Sequence, residues 1–318
     1  MYDSLFSLWG YEITPFALAV FLAGLAGCAL FLVLCKNTGL PRLKAEKCLL
    51  SALPLSVFCG HLLYCAALPF VVVPDYGWLF FLEPWRGGFM FYGCVLGASL
   101  AVLLTGRRDG RLWDLLAVSL LAVLACVRFA EPLDGQGRGI DLEAGSPFCF
   151  FPVAYANPEW PDEWNLAVFF WEGLYALGTV IFLLASRSRR RPGETASLAL
   201  LLYASGQILF ETLRRDETVR WRFVRVSQLL SALVLGAFAL VCLIRCGRTK
   251  KNALCLLGIL LLAGVIVALE FSVDKPLALP NGDLFFFPYG LTYPLIGLCG
   301  AAMGFLALKC LRRLYARS

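Results

Sequence analysis

Nine long apolar segments determine what this 318-residue chain can fold into. A helix of about 20 apolar residues crosses the hydrocarbon core of a bilayer, and each segment is close to that length. The segments cover approximately residues 14–35, 47–70, 89–106, 112–130, 165–186, 195–213, 225–245, 252–270 and 289–309. Charged residues make up only 16% of the chain, whereas they make up about 25% of a soluble globular domain. The sequence therefore predicts an all-α integral membrane protein with about nine transmembrane helices.

Basic residues alternate between the two ends of these segments and predict an orientation. Lysine and arginine concentrate in the cytoplasmic loops of membrane proteins. Basic clusters follow the first, third, fifth and seventh segments and also end the chain: Lys36, Arg42, Lys44 and Lys47; Arg107, Arg108 and Arg111; Arg187, Arg189, Arg190 and Arg191; Arg245, Arg248, Lys250 and Lys251; Lys309, Arg312, Arg313 and Arg317. We therefore expect the N-terminus outside and the C-terminus in the cytoplasm.

One predicted outer loop breaks this rule because it contains five arginines: Arg214, Arg215, Arg220, Arg222 and Arg225. An anionic ligand reached from the outer leaflet, such as a phospholipid head group, would explain basic residues there. A miscounted span is the alternative explanation, since it would move the loop to the cytoplasmic side.

Ionisable and polar side chains also occur inside the predicted spans, where a charge at the helix centre costs about 2.5–3.5 kcal/mol. These positions are His61, Arg128, Glu172, Gln207 and Glu211. Gln207, Glu211 and Arg214 share one helical face because they are spaced by four and three residues. The functional interpretation is a charged pocket, since Arg128, Glu131, Glu211 and Arg214 all fall at predicted outer ends of spans.

Simpler interpretations remain open for each of these residues. Glu211 and Arg214 have the spacing of an ordinary ion pair at a helix end. Glu172 has the chemistry to pair with His61 or Arg128 only to hold helices together. His61, the one histidine of the chain, is equally compatible with an interior hydrogen-bonding role.

Two glycine-containing segments accompany these charges. Residues 134–139 hold three glycines after Pro132, a composition that lets backbone N–H groups approach a phosphate. In the third segment, Gly93 and Gly97 are four residues apart, which predicts a small-xxx-small packing face.

An ordered set of motifs through these residues resembles the prolipoprotein diacylglyceryl transferase family. Gly60-His61-Leu62-Leu63-Tyr64 is similar to the family's Gly-Arg-x-x-Tyr, and residues 92–97 are similar to His-Gly-Gly-x-x-Gly. Residues 128–136 resemble Arg-x-Gly-Asn-x-x-Asn-Gly-Glu, and Gly139 fits a further family glycine. Asp114 matches a family aspartate that opens the helix after residues 92–97. The pair Trp171-Glu172, residues 203–216 and Gln228-Leu229-Leu230-Ser231 resemble, in order, the family motifs that come after Gly139. The resemblance covers residues 1–246 as a seven-span domain, and residues 247–318 add two further spans.

The resemblance implies a membrane enzyme that moves the diacylglyceryl group of phosphatidylglycerol onto the lipobox cysteine of a prolipoprotein. It implies that Arg128 and Arg214 hold the phosphate and that Tyr92 lines the reacting centre. The glutamates Glu131, Glu172 and Glu211 would orient those arginines or accept a proton. The implied partners are phosphatidylglycerol, the prolipoprotein signal-peptide region and the bilayer of a bacterial cytoplasmic membrane.

Among the departures from the family pattern, His61 and Gln207 each replace an arginine and Tyr92 replaces a histidine. Compensation by Arg215 and His61 at the phosphate is one explanation, and a changed substrate is the other. Two alternatives therefore stay open: a transferase that uses another lipid or acceptor, and a non-catalytic lipid-binding or transport protein.

The remaining composition argues against other classes of protein. Most of the thirteen cysteines lie in predicted spans, and a single histidine with no Cys-x-x-Cys pair makes a zinc pattern absent from the sequence. The sequence has no nucleotide-binding loop and no nucleic-acid-binding motif. We expect no metal, no organic cofactor and no nucleic-acid partner.

Overall fold

The computed structural model describes residues 4–8, 10–106, 109–143, 145–156, 162–215, 219–221, 224–274, 277–278, 284–285 and 288–317. These residues are mainly helical. The α-helices among them are α1 Pro15–Asn37, α2 Arg42–Ala67, α3 Pro69–Tyr76, α4 Phe91–Gly106, α5 Gly110–Ala130, α6 Val168–Ala185, α7 Glu194–Leu213, α8 Val226–Arg245, α9 Lys250–Asp274 and α10 Tyr289–Arg317.

Eight helices within the described residues are long and apolar enough to cross a membrane, so the chain is a multi-pass membrane protein. Each of them corresponds to one predicted segment. The remaining segment, 89–106, is the shorter apolar helix α4. It begins only at Phe91 because Gly87 and Gly88 have φ values of 94° and 75°, outside the helical region. With 16 residues α4 is about 24 Å long, less than the bilayer core of about 30 Å.

Short antiparallel strands occupy the connections, a feature that the expectation of an all-α protein did not include. The pairs are β1 Phe6–Leu8 with β2 Tyr11–Ile13, β6 Arg220–Trp221 with β7 Val224–Arg225, and β8 Leu277–Ala278 with β9 Leu284–Phe285. Between α5 and α6, the strands β3 Asp141–Leu142, β5 Trp164–Leu166 and β4 Ala154–Ala156 form one sheet in that spatial order. The central strand is held by its side chain as well, because Asn165 Nδ2 donates to Asp141 Oδ1 at 2.6 Å.

The described residues divide into two compact units, each containing parts of several helices. The first unit lies within Met1–Ser56, Cys94–Ala196 and Leu213–Thr218. The second lies within Val57–Gly93, Ser197–Thr212 and Val219–Ser318. The two C-terminal helices α9 and α10 therefore belong to the same unit as α8 and most of α7. The separate domain predicted for residues 247–318 stays a prediction.

In the first unit, α5 packs on both α1 and α6. A Cβ on Gly27 would lie 2.2 Å from Val123 Cγ2, so α1 and α5 touch at a residue without a side chain. Asp114 of α5 accepts hydrogen bonds from the backbone N–H groups of Gly193 and Ala196, both at 2.8 Å. Asp114 thereby fixes where α7 begins, because the first N–H groups of a helix have no partner within it.

In the second unit, α8, α9 and α10 pack on one another. Gly93 lets α4 approach α2 closely, since a Cβ there would lie 2.3 Å from the carbonyl oxygen of Cys59. Within the first unit, Gly97 does the same, with a Cβ position 2.1 Å from the carbonyl oxygen of Leu55. The predicted glycine packing face is therefore present in the structure.

Candidate functional site

Two arginines and two glutamates of the first unit form a closed set of ion pairs, which we call the charge quartet: Arg128, Glu131, Glu172 and Arg214. Arg128 pairs with Glu131, and its Nε lies 2.8 Å from Glu172 Oε1. Arg214 places one terminal nitrogen 3.0 Å from Glu131 Oε1 and the other 2.9 Å from Glu172 Oε2. Each charge thus contacts two charges of the opposite sign.

The charge quartet is buried and carries no net formal charge. Three of its side chains are 5% exposed or less, and Arg128 is the most accessible at 14%. Removing one member would leave an uncompensated charge, a change that costs about 3–5 kcal/mol for a buried ion pair. Arginine is suited to this position because its planar guanidinium has five N–H donors and can contact carboxylates and a phosphate oxygen at once.

The segment that follows α5 holds the quartet in place. Glu131 begins a 3-10 turn that ends at Asp134, and Gly135 leaves it with the left-handed φ of 66°. The backbone N–H of Gln136 then donates to the carbonyl of Glu131 at 3.1 Å. This turn reverses the chain immediately after the first glutamate of the quartet, so the following glycines return beside it.

Gly137 and Gly139 join this returning segment to the rest of the site. Gly137 accepts a hydrogen bond from Phe169 N of α6 at 3.1 Å, and Gly139 donates to the carbonyl of Leu166 at 2.9 Å. Gly139 also forms a β-bridge with Arg214. The segment therefore connects the end of α5, the start of α6 and the arginine that follows α7.

Gly137 cannot be replaced without disturbing the quartet. Its φ is +78°, and a Cβ would lie 2.5 Å from Phe169 Cβ and 2.7 Å from Glu131 Oε2. Both the backbone conformation and the contact require glycine here. The glycine-rich outer loop predicted from sequence thus packs directly against a charged side chain of the site.

The second unit contains a separate polar cluster around Glu211. Gln207 Nε2 donates to Glu211 Oε1 at 2.8 Å, one helical turn away on α7. The other carboxylate oxygen, Oε2, has no hydrogen-bond donor within the described part of the chain and lies 4.0 Å from a terminal nitrogen of Arg225. All three side chains are buried. Glu211 therefore presents one oxygen that is not committed to a hydrogen bond.

The neighbouring turn of α7 contacts α8 and α9. Thr212 Oγ1 donates to Glu270 Oε1 of α9 at 2.7 Å. Gln228 of α8 donates to the same Glu270 oxygen at 3.0 Å and contacts Thr212 Oγ1 at 2.6 Å. Three helices thus share one buried set of hydrogen bonds.

Tyr92 and His61 are also placed in the second unit. The Tyr92 hydroxyl hydrogen-bonds to Ser231 Oγ at 2.6 Å, and its ring lies 5.3 Å from that of Tyr203. His61 is fully buried, with Nδ1 2.8 Å from the carbonyl oxygen of Gly87 and Nε2 2.7 Å from that of Phe80. Both ring nitrogens of His61 thus contact backbone carbonyls of the connection between α3 and α4.

The structure decides several of the open interpretations. Arg214 pairs with Glu131 and Glu172. Glu172 pairs with Arg128, and additionally with Arg214. Of the group expected to converge, Arg128, Glu131 and Arg214 meet, together with Glu172, which that group did not include. Glu211, which it did include, has Gln207 and Arg225 as partners instead. Their roles in lipid binding or catalysis stay predictions.

The arginine-rich loop divides into different environments. Arg215 has an exposed side chain, and its backbone N–H donates to the carbonyl of Arg138 at 2.8 Å. Arg225 is buried beside Glu211, and Arg220 lies in β6. Arg222 lies outside the described residues. Arg215 is therefore on the surface of its unit, while Arg225 is part of a buried cluster.

Sequence reasoning missed two residues of these clusters. Arg225 was assigned only to the loop, although it immediately precedes α8 and so is held at the end of a helix. Glu270 was overlooked, although it is the one acidic residue in the predicted segment 252–270. The same energetic argument that selected Glu172 would have selected it.

The described residues contain no group of three or more histidine, cysteine or acidic side chains that could hold a metal ion. The thirteen cysteines are free thiols, most of them in the helices.

Comparison with known proteins gives a consistent result. The family model for prolipoprotein diacylglyceryl transferase matches residues 3–244. A phosphatidylglycerol–prolipoprotein diacylglyceryl transferase of Listeria innocua is 25% identical over 201 residues, which covers 59% of this chain and 69% of that protein. The protein of the same name from Gloeobacter violaceus is 31% identical over 173 residues, covering 49% of this chain and 61% of the relative.

Proposed function

This chain belongs to the prolipoprotein diacylglyceryl transferase family and is a transferase, and we propose that it moves the diacylglyceryl group of phosphatidylglycerol onto the lipobox cysteine of a prolipoprotein. The relatives named above carry this donor and acceptor in their names. The bacterial cytoplasmic membrane is the corresponding location. The charge quartet is the observation that carries the proposal, because it buries two arginines where the family motifs fall.

The reaction exchanges one bond for another. The cysteine sulfur forms a bond to the glyceryl carbon, the bond from that carbon to the phosphate oxygen breaks, and glycerol phosphate leaves with the electron pair. The thiol must lose its proton, since the thiolate is the nucleophile. The departing phosphate oxygen must also be stabilised while its charge develops. The chain therefore needs a cationic phosphate site and a proton acceptor.

The charge quartet suits the phosphate. Arg128, its most accessible member, can extend donors to a phosphate oxygen while Glu131 and Glu172 keep its plane fixed. Arg214 is held by the same two carboxylates and stabilises the leaving oxygen. In this role the glutamates orient the arginines and take no direct part in bond breaking.

The cluster around Glu211 suits the proton. Its Oε2 is buried and accepts no hydrogen bond from the described residues, so it is available as a base. A terminal nitrogen of Arg225, 4.0 Å from Glu211 Oε2, stabilises the carboxylate. It supplies a positive charge that Gln207, which replaces an arginine of the family pattern, does not. Tyr92 is held by Ser231 and lines the reacting centre, and its hydroxyl orients the thiol or its proton.

Purified protein in proteoliposomes containing phosphatidylglycerol tests the proposal directly. A lipobox peptide should gain the mass of one diacylglyceryl group, and glycerol phosphate should be released in equal amount. Arg128→Ala and Arg214→Ala should abolish transfer while remaining in the membrane. Arg42→Ala is the control, because its ion pair with Glu46 is on the surface.

Folded wild-type protein that leaves the peptide mass unchanged would overturn the assignment. Transfer from a different phospholipid under the same conditions would support the alternative that this member uses another donor. Full activity of either arginine variant would remove that arginine from the phosphate site.

A further inference from the structure

The two C-terminal helices α9 and α10 lie beyond the part of the chain that matches the family model, yet they contact the helix that carries Glu211. Glu270 is the point of contact on α9. Its Oε1 accepts hydrogen bonds from the hydroxyl of Thr212 at 2.7 Å and from the side-chain amide of Gln228 at 3.0 Å. Thr212 directly follows Glu211 on α7.

The contact is buried, and its two donors share the carbonyl of Ile208 as a second acceptor. Thr212 is 2% exposed, Gln228 is 6% exposed and Glu270 is 9% exposed. Thr212 and Gln228 also touch each other at 2.6 Å. Gln228 also donates to the carbonyl of Ile208 at 3.1 Å, so α7 and α8 are joined directly. The single carboxylate oxygen of Glu270 accepts from both helices and attaches this junction to α9.

α10 contacts the same face of α7 one to two turns earlier. Ser205 Oγ donates to the carbonyl of Gly300 at 3.0 Å, and a Cβ on Gly304 would lie 2.5 Å from Ser205 Oγ. A Cβ on Gly300 would lie 3.2 Å from Ile208 Cγ2. Glycines four residues apart let two membrane helices approach this closely. The residues between these contacts include Gln207 and Glu211.

We propose that Glu270 is a positioning residue for Glu211, so that the C-terminal helices form part of the catalytic scaffold. This inference rests on the proposed function, in which Glu211 accepts the thiol proton. By accepting from Thr212 and Gln228 through one oxygen, Glu270 keeps the last turn of α7 at a fixed rotation. That rotation sets where Glu211 Oε2 is presented.

The geometry specifies what the substitution series must show. Both hydrogen bonds end on Oε1, so an amide oxygen in the same place can accept both. Glu270→Gln should therefore keep the arrangement, whereas Glu270→Leu removes the link to α9 and leaves Thr212 and Gln228 only the carbonyl of Ile208 as a shared acceptor. A positioning role predicts a fall in kcat by about tenfold or more for Glu270→Leu, with KM changing by less than about threefold.

The experiment measures two quantities on the full-length protein. The first is kcat and KM for transfer to a lipobox peptide in proteoliposomes. The second is amide hydrogen exchange of residues 205–213 in detergent micelles, which requires no activity. Leu260→Ala is the control, since this α9 side chain is 59% exposed and should change neither quantity.

Faster exchange at residues 205–213 in Glu270→Leu, together with the loss of kcat and its recovery in Glu270→Gln, is the expected result. Unchanged exchange would overturn the inference, as would wild-type kcat in folded Glu270→Leu. A wild-type protein that transfers nothing would refute the proposed function instead. The exchange measurement would then decide the inference alone: local acceleration in Glu270→Leu supports it, and no acceleration rejects it.

Discussion

The formal charge of the quartet should control the affinity for an anionic lipid, and two single substitutions change it in opposite directions. Glu172→Gln leaves one excess positive charge, because two arginines then face Glu131 alone. Arg214→Gln leaves one excess negative charge. Glutamine is close in size to Glu172, and at position 214 it shortens a side chain that is already buried. Charge is therefore the main difference between the two variants.

The magnitude follows from Coulomb's law. With a separation of about 6 Å between the changed group and a bound phosphate and an effective dielectric constant of about 20, one charge contributes about 2.8 kcal/mol. That energy corresponds to about a hundredfold change in Kd. Lost hydrogen bonds and rearrangement of the arginines reduce it, so we expect at least about tenfold in each direction. Glu172→Gln should bind phosphatidylglycerol more tightly and Arg214→Gln more weakly.

Displacement of a fluorescent phosphatidylglycerol in detergent micelles measures these constants. Diacylglycerol, which lacks the phosphate, should compete equally well with all variants. Arg86→Gln is the matched control, because its 2.9 Å pair with Glu83 is partly exposed, with side chains 45% and 29% accessible, and lies outside the quartet. Weaker phosphatidylglycerol binding in both quartet variants, each with a cooperative melting transition, would show that the quartet only holds helices together and would refute this reasoning.

Three further predictions concern other parts of the structure. Gly137→Ala should lower the free energy of unfolding by about 2 kcal/mol or more, as measured by thermal melting, and should reduce transfer. Gly145→Ala is its control, because Gly145 has a similar φ of +85° but open space around it. This control should lose only the backbone cost of about 1–2 kcal/mol. Burial raises the pKa of Asp109, but the 2.8 Å hydrogen bond and charge of Lys44 lower it more, so the pKa in the folded protein is below its ordinary value. The ionised Asp109 therefore stabilises the fold above the ordinary pKa of about 3.9, and this stabilisation is lost as pH falls through the folded-state pKa. Melting curves recorded against pH should show the loss in the wild type and lack it in Asp109→Asn. Arg225→Gln should reduce kcat by about tenfold or more, because Glu211 loses the neighbouring positive charge. Arg225→Lys should recover part of the activity. Equal kinetics for Arg225→Gln and the wild type would exclude a role of Arg225 in stabilising Glu211.

The sequence predicted the membrane helices well because each depends on a local property, the length of an apolar run. It failed to anticipate the short length of α4, since the positive φ values of Gly87 and Gly88 are set by the chain around them. The short strands between α5 and α6 have only two or three residues each, too few to produce an alternating pattern.

The charge quartet was predictable because an ion within an apolar segment is energetically conspicuous, and Arg128 and Glu172 are such ions. Their partners were not predictable in the same way. Glu211 and Arg214 share a helical face, yet they enter different clusters, because Arg214 lies just past the end of α7 and follows the loop backbone. Arg225 was read as one of several loop arginines, since burial of a charged residue depends on tertiary contacts.

The neutral ring formed by Arg128, Glu131, Glu172 and Arg214 also constrains how the protein is made. Its members emerge from the ribosome in that order, and each alone is unfavourable in hydrocarbon. Once α5 and α6 have been synthesised, one arginine faces two acids, and the hairpin carries an unbalanced negative charge into the bilayer. Only the synthesis of Arg214 balances it. We therefore expect nascent chains that stop before Arg214, which follows α7, to be retained by the insertion machinery, and quality control to act on them at this stage.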